Sequence, residues 1–226
     1  MLHGGRRTGV HQFDLFILPK DRFMKSHVKR RTDPERAQSR RNQVLQAAAV
    51  CFARSGFHGA SMSEISKEAG MSAGHIYNYF DNKEAIIMAF VDLESEHVAA
   101  QLRELSGKDD PLQSMIDEAP RHIDENLDPQ YFQLPLEMFA EAARNPKIAD
   151  AMRASDVVAM AEFRPIIKRE RERRGLPVDD ALLDGRINTM VSLFHGLPIR
   201  ALHRPDMDRN SLVEGYRVAM KALLLS

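Results

Sequence analysis

Between Ser61 and Lys83 the chain sets hydroxyls, small residues and hydrogen-bonding aromatics at spacings that suit recognition of a polyanion rather than covalent chemistry. Ser72, Ala73, Gly74 and His75 open a short predicted helix, and Tyr77, Asn78, Tyr79 and Lys83 follow it. Small residues at a helix start permit close approach to base edges in a major groove, while hydroxyls and a lysine ammonium donate to phosphate oxygens. His75 can donate to a base acceptor or a phosphate, or stay solvated. Tyr77, Tyr79 and Phe80 can face a ligand or fill a core. Phe80 reads as core, and the two tyrosines, whose hydroxyls want polar partners, as contacts. Signals for other chemistry are missing from the sequence: it has no Gly-rich phosphate loop, no G-x-S-x-G elbow, no H-E-x-x-H and no paired cysteines. The expectation is no enzyme.

The elements that must hold these residues are helices. A sharp turn between two short helices favours glycine, a small residue four positions earlier lets the helices approach, and an apolar residue six positions later fills their junction. Gly70, Ser66 and Ile76 fit, with Ile65 and Ala69 on the inner face. Ser61 with Glu64 makes a capping box for the first of the pair, Ser72 caps the second, and Asp81 with Glu84 repeats the capping pattern at a longer helix reaching about Leu105. Ahead of them, Asp33-Pro34 starts a helix whose apolar face is Val44, Leu45, Ala48, Cys51 and Phe52, ending near Gly56. The single cysteine, Cys51, falls on that face and reads as buried.

Charge agrees with this placement. The formal net charge is zero, yet residues 25 to 83 carry ten Lys or Arg against five Asp or Glu, net +5, and residues 84 to 226 carry 18 against 25, net −7. The N-terminal third is the candidate anion-binding surface.

The run GFHGASMSEISKEAGMSAGHIYNYFDNK, ending at Lys83, resembles the DNA-binding domain of the TetR family of repressors. The likeness spans about residues 34 to 86. Ile65, Ala69, Gly70, Ser72, Tyr77, Phe80, Lys83 and Glu84 match the family's recurring pattern; Ser66 stands for the usual Ala, Met71 for Val, Ile76 for Leu, and Tyr79 where His is common. The resemblance implies base contacts at Ser63, Ala73, Gly74 and Tyr77, and backbone contacts at Ser61, Tyr77, Tyr79 and Lys83. It implies a transcriptional regulator, most simply a repressor that binds a palindromic operator as a homodimer and is released by a small-molecule ligand when the fourth helix tilts. The rival reading is a helical protein-interaction module without DNA binding.

The expected fold is all-α: a disordered basic extension over 1–32, a helix-turn-helix domain over 33–80, and a larger helical domain over 81–226 for ligand sensing and dimerisation. Residues 1 to 23 are expected to be an over-extended start before Met24, and the basic stretch Lys25 to Arg31 either touches phosphates or is solvated. Gly and Pro punctuation divides the larger domain into helices near 110 to 127, 129 to 144, 146 to 174, 179 to 201 and 208 to 225, with kinks expected at Pro120 and Pro165.

The family places its dimer interface on the last two long helices, and Leu183, Ile187, Val191, Leu212, Tyr216 and Met220 lie on broad apolar stripes suited to it. Family precedent also puts a ligand cavity among helices four to eight, where Met88, Met115, His122 and Phe139 are candidates, with Phe163, Met190, Phe194 and His195 behind them. Tyr131, Phe132 and Met138 are further candidates, and each of these residues can equally be ordinary core. His122 and His195 can orient a polar group on a ligand, but neither has metal-ligand company, so no metal or cofactor is expected. No apolar run is long enough to cross a bilayer, and the expected location is cytoplasmic.

Overall fold

A computed structural model describes residues 33–226; the expected disordered extension, the start at Met24 and the basic stretch Lys25 to Arg31 lie outside the described residues. Among the described residues ten helices run in order: α1 Asp33–Gly59, α2 Met62–Glu68, α3 Ala73–Ile76, α4 Lys83–Ser106, α5 Pro111–Asp117, α6 Ala119–Leu127, α7 Pro129–Ala142, α8 Pro146–Arg173, α9 Asp180–His203 and α10 Arg209–Leu225. No strand occurs among the described residues. The all-α reading holds.

Local chemistry sets the boundaries. Ser61 forms the capping box with Glu64, and Ser72 Oγ accepts from His75 N–H. At α4 the cap is Asn82, whose side chain accepts from Ala85 N–H, one residue beyond the expected Asp81. Caps of this kind contribute about 1 kcal/mol each. Helical geometry in α1 breaks at Gly56, where φ is 71°. The expected helix over 110 to 127 divides at Glu118 into α5 and α6, and Pro120, which lacks an N–H, stands in the first turn of α6. α8 runs on through Pro165. Prolines also sit inside α7 (Pro135) and α9 (Pro198).

The first core joins α1, α2, α3 and the N-terminal half of α4 through Val44, Phe52, Ile65, Ile76, Phe80 and Phe90, and it takes in Leu134 and Met138 of α7 and Ile148 of α8. The head made by the first three helices therefore has no core separate from the body. A second core gathers the C-terminal half of α4 with α5, α8, α9 and α10 around Leu102, Phe163 and Ile187. Ile123, Leu197 and Val213 form a third, joining α6, α9 and α10. Buried Arg171 of α8 binds the C-terminal end of α10 by donating to Leu224 O at 2.8 Å and Ser226 O at 2.7 Å.

Of the expected dimer stripe, Leu183, Ile187 and Met220 are buried within the subunit, while Val191, Leu212 and Tyr216 are partly buried. Leu183, Ile187 and Met220 are buried in the second core with Val191 packed against it, and Leu212 and Tyr216 pack against the third. The Tyr216 hydroxyl donates to Leu193 O at 2.7 Å, and burial pushes its pKa up to about 12. The reason is general: the stripe with the largest apolar residues is the one a helix buries first, within its own subunit. The outer faces of α9 and α10 expose Leu182, Ile199, Leu202 and Val218 instead.

Candidate nucleic-acid interface and effector cavity

Ala73, Gly74, His75, Tyr77 and Asn78 are all exposed on α3 and the turn after it, with Ser72 beside them, while Ile76 and Phe80 point inward and are buried. Tyr77 is 52% exposed, an unusual state for a large aromatic with no packing duty. Tyr79 is half-buried against the head core, and its hydroxyl lies 3.4 Å from His75 Nε2 with the rings edge to face. The two form one unit on the outer face. Ser63 is exposed on α2. The Ser61 hydroxyl is occupied locally: it accepts from Glu64 N–H at 3.1 Å and donates to the Glu64 carboxylate at 2.9 Å. The Ser61 amide and hydroxyl together hold the Glu64 carboxyl below the usual carboxylate range.

Lys83 is engaged differently from the phosphate contact its type suggests. Its ammonium donates to Phe57 O and Ala60 O, each at 2.6 Å, and to His58 O at 3.3 Å, and it lies 4.7 Å from the centre of the Phe57 ring. Three carbonyls meet three donors. Lys83 thus fastens the start of α4 to the end of α1. Gln43 of α1 similarly donates to Ala69 O at 2.6 Å, at the end of α2. These contacts fix the angle at which α3 is presented, and Gln43 carried no signal in the sequence because an isolated glutamine on a helix predicts nothing.

The head is also held from the body. The Phe57 amide donates to Glu137 Oε2 at 2.9 Å, and His58 Nε2 lies 2.9 Å from Glu141 Oε2. Both glutamates belong to α7, four residues apart and so on one face. Gly56 suits this point through its positive φ of 71°, a conformation that side-chain-bearing residues rarely adopt. Gly70, at φ 63°, makes the turn between α2 and α3.

In the body, His122 and Asn126 of α6, Phe132, Pro135, Leu136 and Phe139 of α7, and Phe194, His195 and Pro198 of α9 enclose a cavity of about 20 Å³. That is room for about one water. His122, Phe139, Phe194 and His195 were expected there, as was Phe132. The other four expected ligand residues lie elsewhere: Met115, Phe163 and Met190 are buried in the second core, and Met88 packs against the first. Met138 is in the first core. Volume and flexibility suit such residues to lining and to core alike, so the sequence does not separate the two uses. Asn126, Leu136 and the two prolines escaped notice. Burial pushes the His195 imidazole below the ordinary histidine range, against a weaker pull from Asp156. Among the described residues no group of His, Cys, Asp or Glu has the arrangement of a metal site, and no helix is long and apolar enough to cross a membrane.

Comparison with known proteins agrees with this geometry. Residues 44–90 match the family model for bacterial regulatory proteins of the tetR family. The transcriptional regulator UidR of Escherichia coli K12 is 28% identical over 193 residues, covering 83% of this chain and 94% of UidR. The solved structure of Salmonella enterica GusR superposes with a TM-score of 0.69 at 24% identity, over 88% of this chain and all of GusR. Bacillus subtilis FadR, solved in complex with stearoyl-CoA, gives 0.63 at 19% identity over 81% of this chain and 97% of its own. The helix-turn-helix, its second helix laid bare, is thus a DNA-binding domain of the tetR type over residues 44–90, and it stands on an all-helical body similar in fold to those of these transcriptional regulators.

Proposed function

We propose that the protein is a repressor that binds a palindromic operator as a homodimer and leaves it when a small molecule enters the body. The observation that carries this reading is the double use of α7. Phe132, Pro135, Leu136 and Phe139 of that helix line the cavity, while Glu137 and Glu141 hold the last turn of α1, and Leu134 and Met138 belong to the head core. A molecule larger than water has to part α7 from α6 and α9, and a shift of α7 carries the Phe57 amide and the head with it. The ligand then favours the shifted arrangement by its difference in affinity for the two states, and DNA affinity falls by the same coupling. The fourth helix shares the motion, since its first half is head core and its second half body core. FadR holding stearoyl-CoA supports a ligand-holding role for a body of this fold.

A dimer follows from the size of α3, which offers too few contacts alone, and two copies set a helical turn or more apart can read a palindrome. The exposed Leu182, Ile199, Leu202 and Val218 are the surface we assign to it, with small residues Gly185, Thr189, Ser192 and Gly196 exposed along α9. The bases are read by Ser63, Ala73, Gly74, His75 and Tyr77, and the sugar-phosphate backbone is met by Ser72, Asn78 and Tyr79. We assign the chain no catalytic role and place it in the cytoplasm, where its DNA lies.

Sedimentation of the protein with duplexes enriched from a random pool tests this. The expected result is an even number of chains per inverted repeat; one chain per duplex, or no retention at low ionic strength, contradicts it.

A further inference from the structure

We propose that the cavity between α6, α7 and α9 takes a small, uncharged aromatic molecule bearing a hydrogen-bonding group; this rests on the reading of the chain as a ligand-released regulator and names its effector class. The walls are rings. His122 and Phe194 lie 4.6 Å apart between centroids with planes 35° from parallel, and Phe139 meets His195 at 5.2 Å, edge to face. Phe194 in turn packs on Tyr216 at 5.8 Å. A flat ring entering between such pairs replaces ring contacts with ring contacts of the same geometry. An aliphatic chain offers no quadrupole to match.

The polar complement of the lining is short, one amide and two imidazoles. Asn126, with 7% of its surface exposed, and His122, with 6%, are on α6, and His195 is on α9; among the described residues no Lys, Arg, Asp or Glu lines the cavity. Burial holds His195 toward its neutral form, so neither a carboxylate nor an ammonium on the ligand would find a counter-charge. An amide and two imidazoles are instead suited to a hydroxyl or carbonyl, giving and accepting single hydrogen bonds.

Room for the ring has to be made, and the structure has a place to make it. Phe139 is 39% exposed, so its ring can shift toward solvent to admit a second ring and still lie against it. Pro135 and Pro198 each remove one backbone bond from the helices that face each other across the cavity, which softens α7 and α9 where they must part.

Calorimetric titration of the DNA-free protein with monocyclic aromatic methyl esters and phenols, each paired with its carboxylate counterpart, and with choline and n-hexanol, tests the proposal. The uncharged aromatics are expected to bind at least about tenfold more tightly than their carboxylates and than either aliphatic probe. Phe139→Ala, at a half-exposed site where folding should survive, is expected to weaken them at least about fivefold. Carboxylates, choline or hexanol binding as tightly, no uncharged aromatic binding at millimolar concentration, or binding indifferent to Phe139→Ala would each overturn it. Uncharged aromatics that bind as expected but leave DNA affinity unchanged would remove the release mechanism and keep the ligand class, so the two readings fail separately.

Discussion

The amide of Phe57 and the carboxylate of Glu137, 2.9 Å apart, join the DNA-binding head to the helix that lines the cavity. Glu137→Ala leaves that amide without its acceptor, at a cost to stability of about 1 to 3 kcal/mol. The more telling effect is on communication: a ligand that releases DNA from the wild type should still bind the variant with similar affinity but release DNA weakly. Ligand affinity by calorimetry and DNA affinity by fluorescence anisotropy, each with and without the other partner, measure that coupling.

Lys83 separates two roles by experiment. If its three carbonyl bonds are its function, Lys83→Met should lower thermal stability by about 1.5 to 3 kcal/mol while the slope of log affinity against log salt stays as it was. A phosphate contact would instead reduce that slope by about 0.9. Thermal melts and salt titrations of duplex binding decide between them.

Gly74 isolates recognition from folding. It has no positive φ, and a Cβ there would meet nothing within 4 Å. Gly74→Ala should therefore leave the fold intact or firmer by up to about 1 kcal/mol. If the outer side of α3 lies against bases, the added methyl should cost roughly tenfold in duplex affinity. Unchanged affinity would place the contact elsewhere.

The assignment of the dimer surface predicts different outcomes for exposed and for buried apolar residues. Leu202, 61% exposed, and Val218, 68% exposed, are expected on replacement by Glu to convert a two-subunit particle to one subunit with the fold retained. Leu183→Ala, at a buried position, should cost the fold about 2 to 5 kcal/mol. Analytical ultracentrifugation and denaturant melts distinguish these effects.

His195 gives the pH dependence a sign. Burial pushes its folded pKa below the ordinary value, so as pH falls the unfolded chain takes up the proton first. Its contribution is present in full above the ordinary histidine value and is lost as pH drops through the lowered one. Melting temperatures between about pH 8 and about pH 5 should fall further for the wild type than for His195→Phe, which has nothing there to titrate. Parallel profiles would show that the imidazole is not held neutral.

The parts legible in the sequence are those written in local signals. Ser61 with Glu64, Ser72, Gly56 and Gly70 mark caps and turns within a few residues, so the helices of the head and their order could be read, and α7 to α10 followed from Pro and Gly in the same way. What could not be read depends on which face of a helix meets which neighbour. Leu183 and Met220 have the apolar character of an interface and lie buried within the subunit; Lys83 has the character of a phosphate ligand and, in the chain alone, donates to carbonyls more than twenty residues away. Glu137 and Glu141 look like solvated charges until α7 is laid against α1.

The central claim, that α3 reads a duplex, is tested most directly by selecting bound sequences from one random DNA pool with the wild type and with Ala73→Gln in parallel. Both proteins should enrich inverted repeats, and the repeats should differ at the base pairs facing residue 73 in each half. Identical repeats from the two proteins, or no enrichment by the wild type, would contradict it.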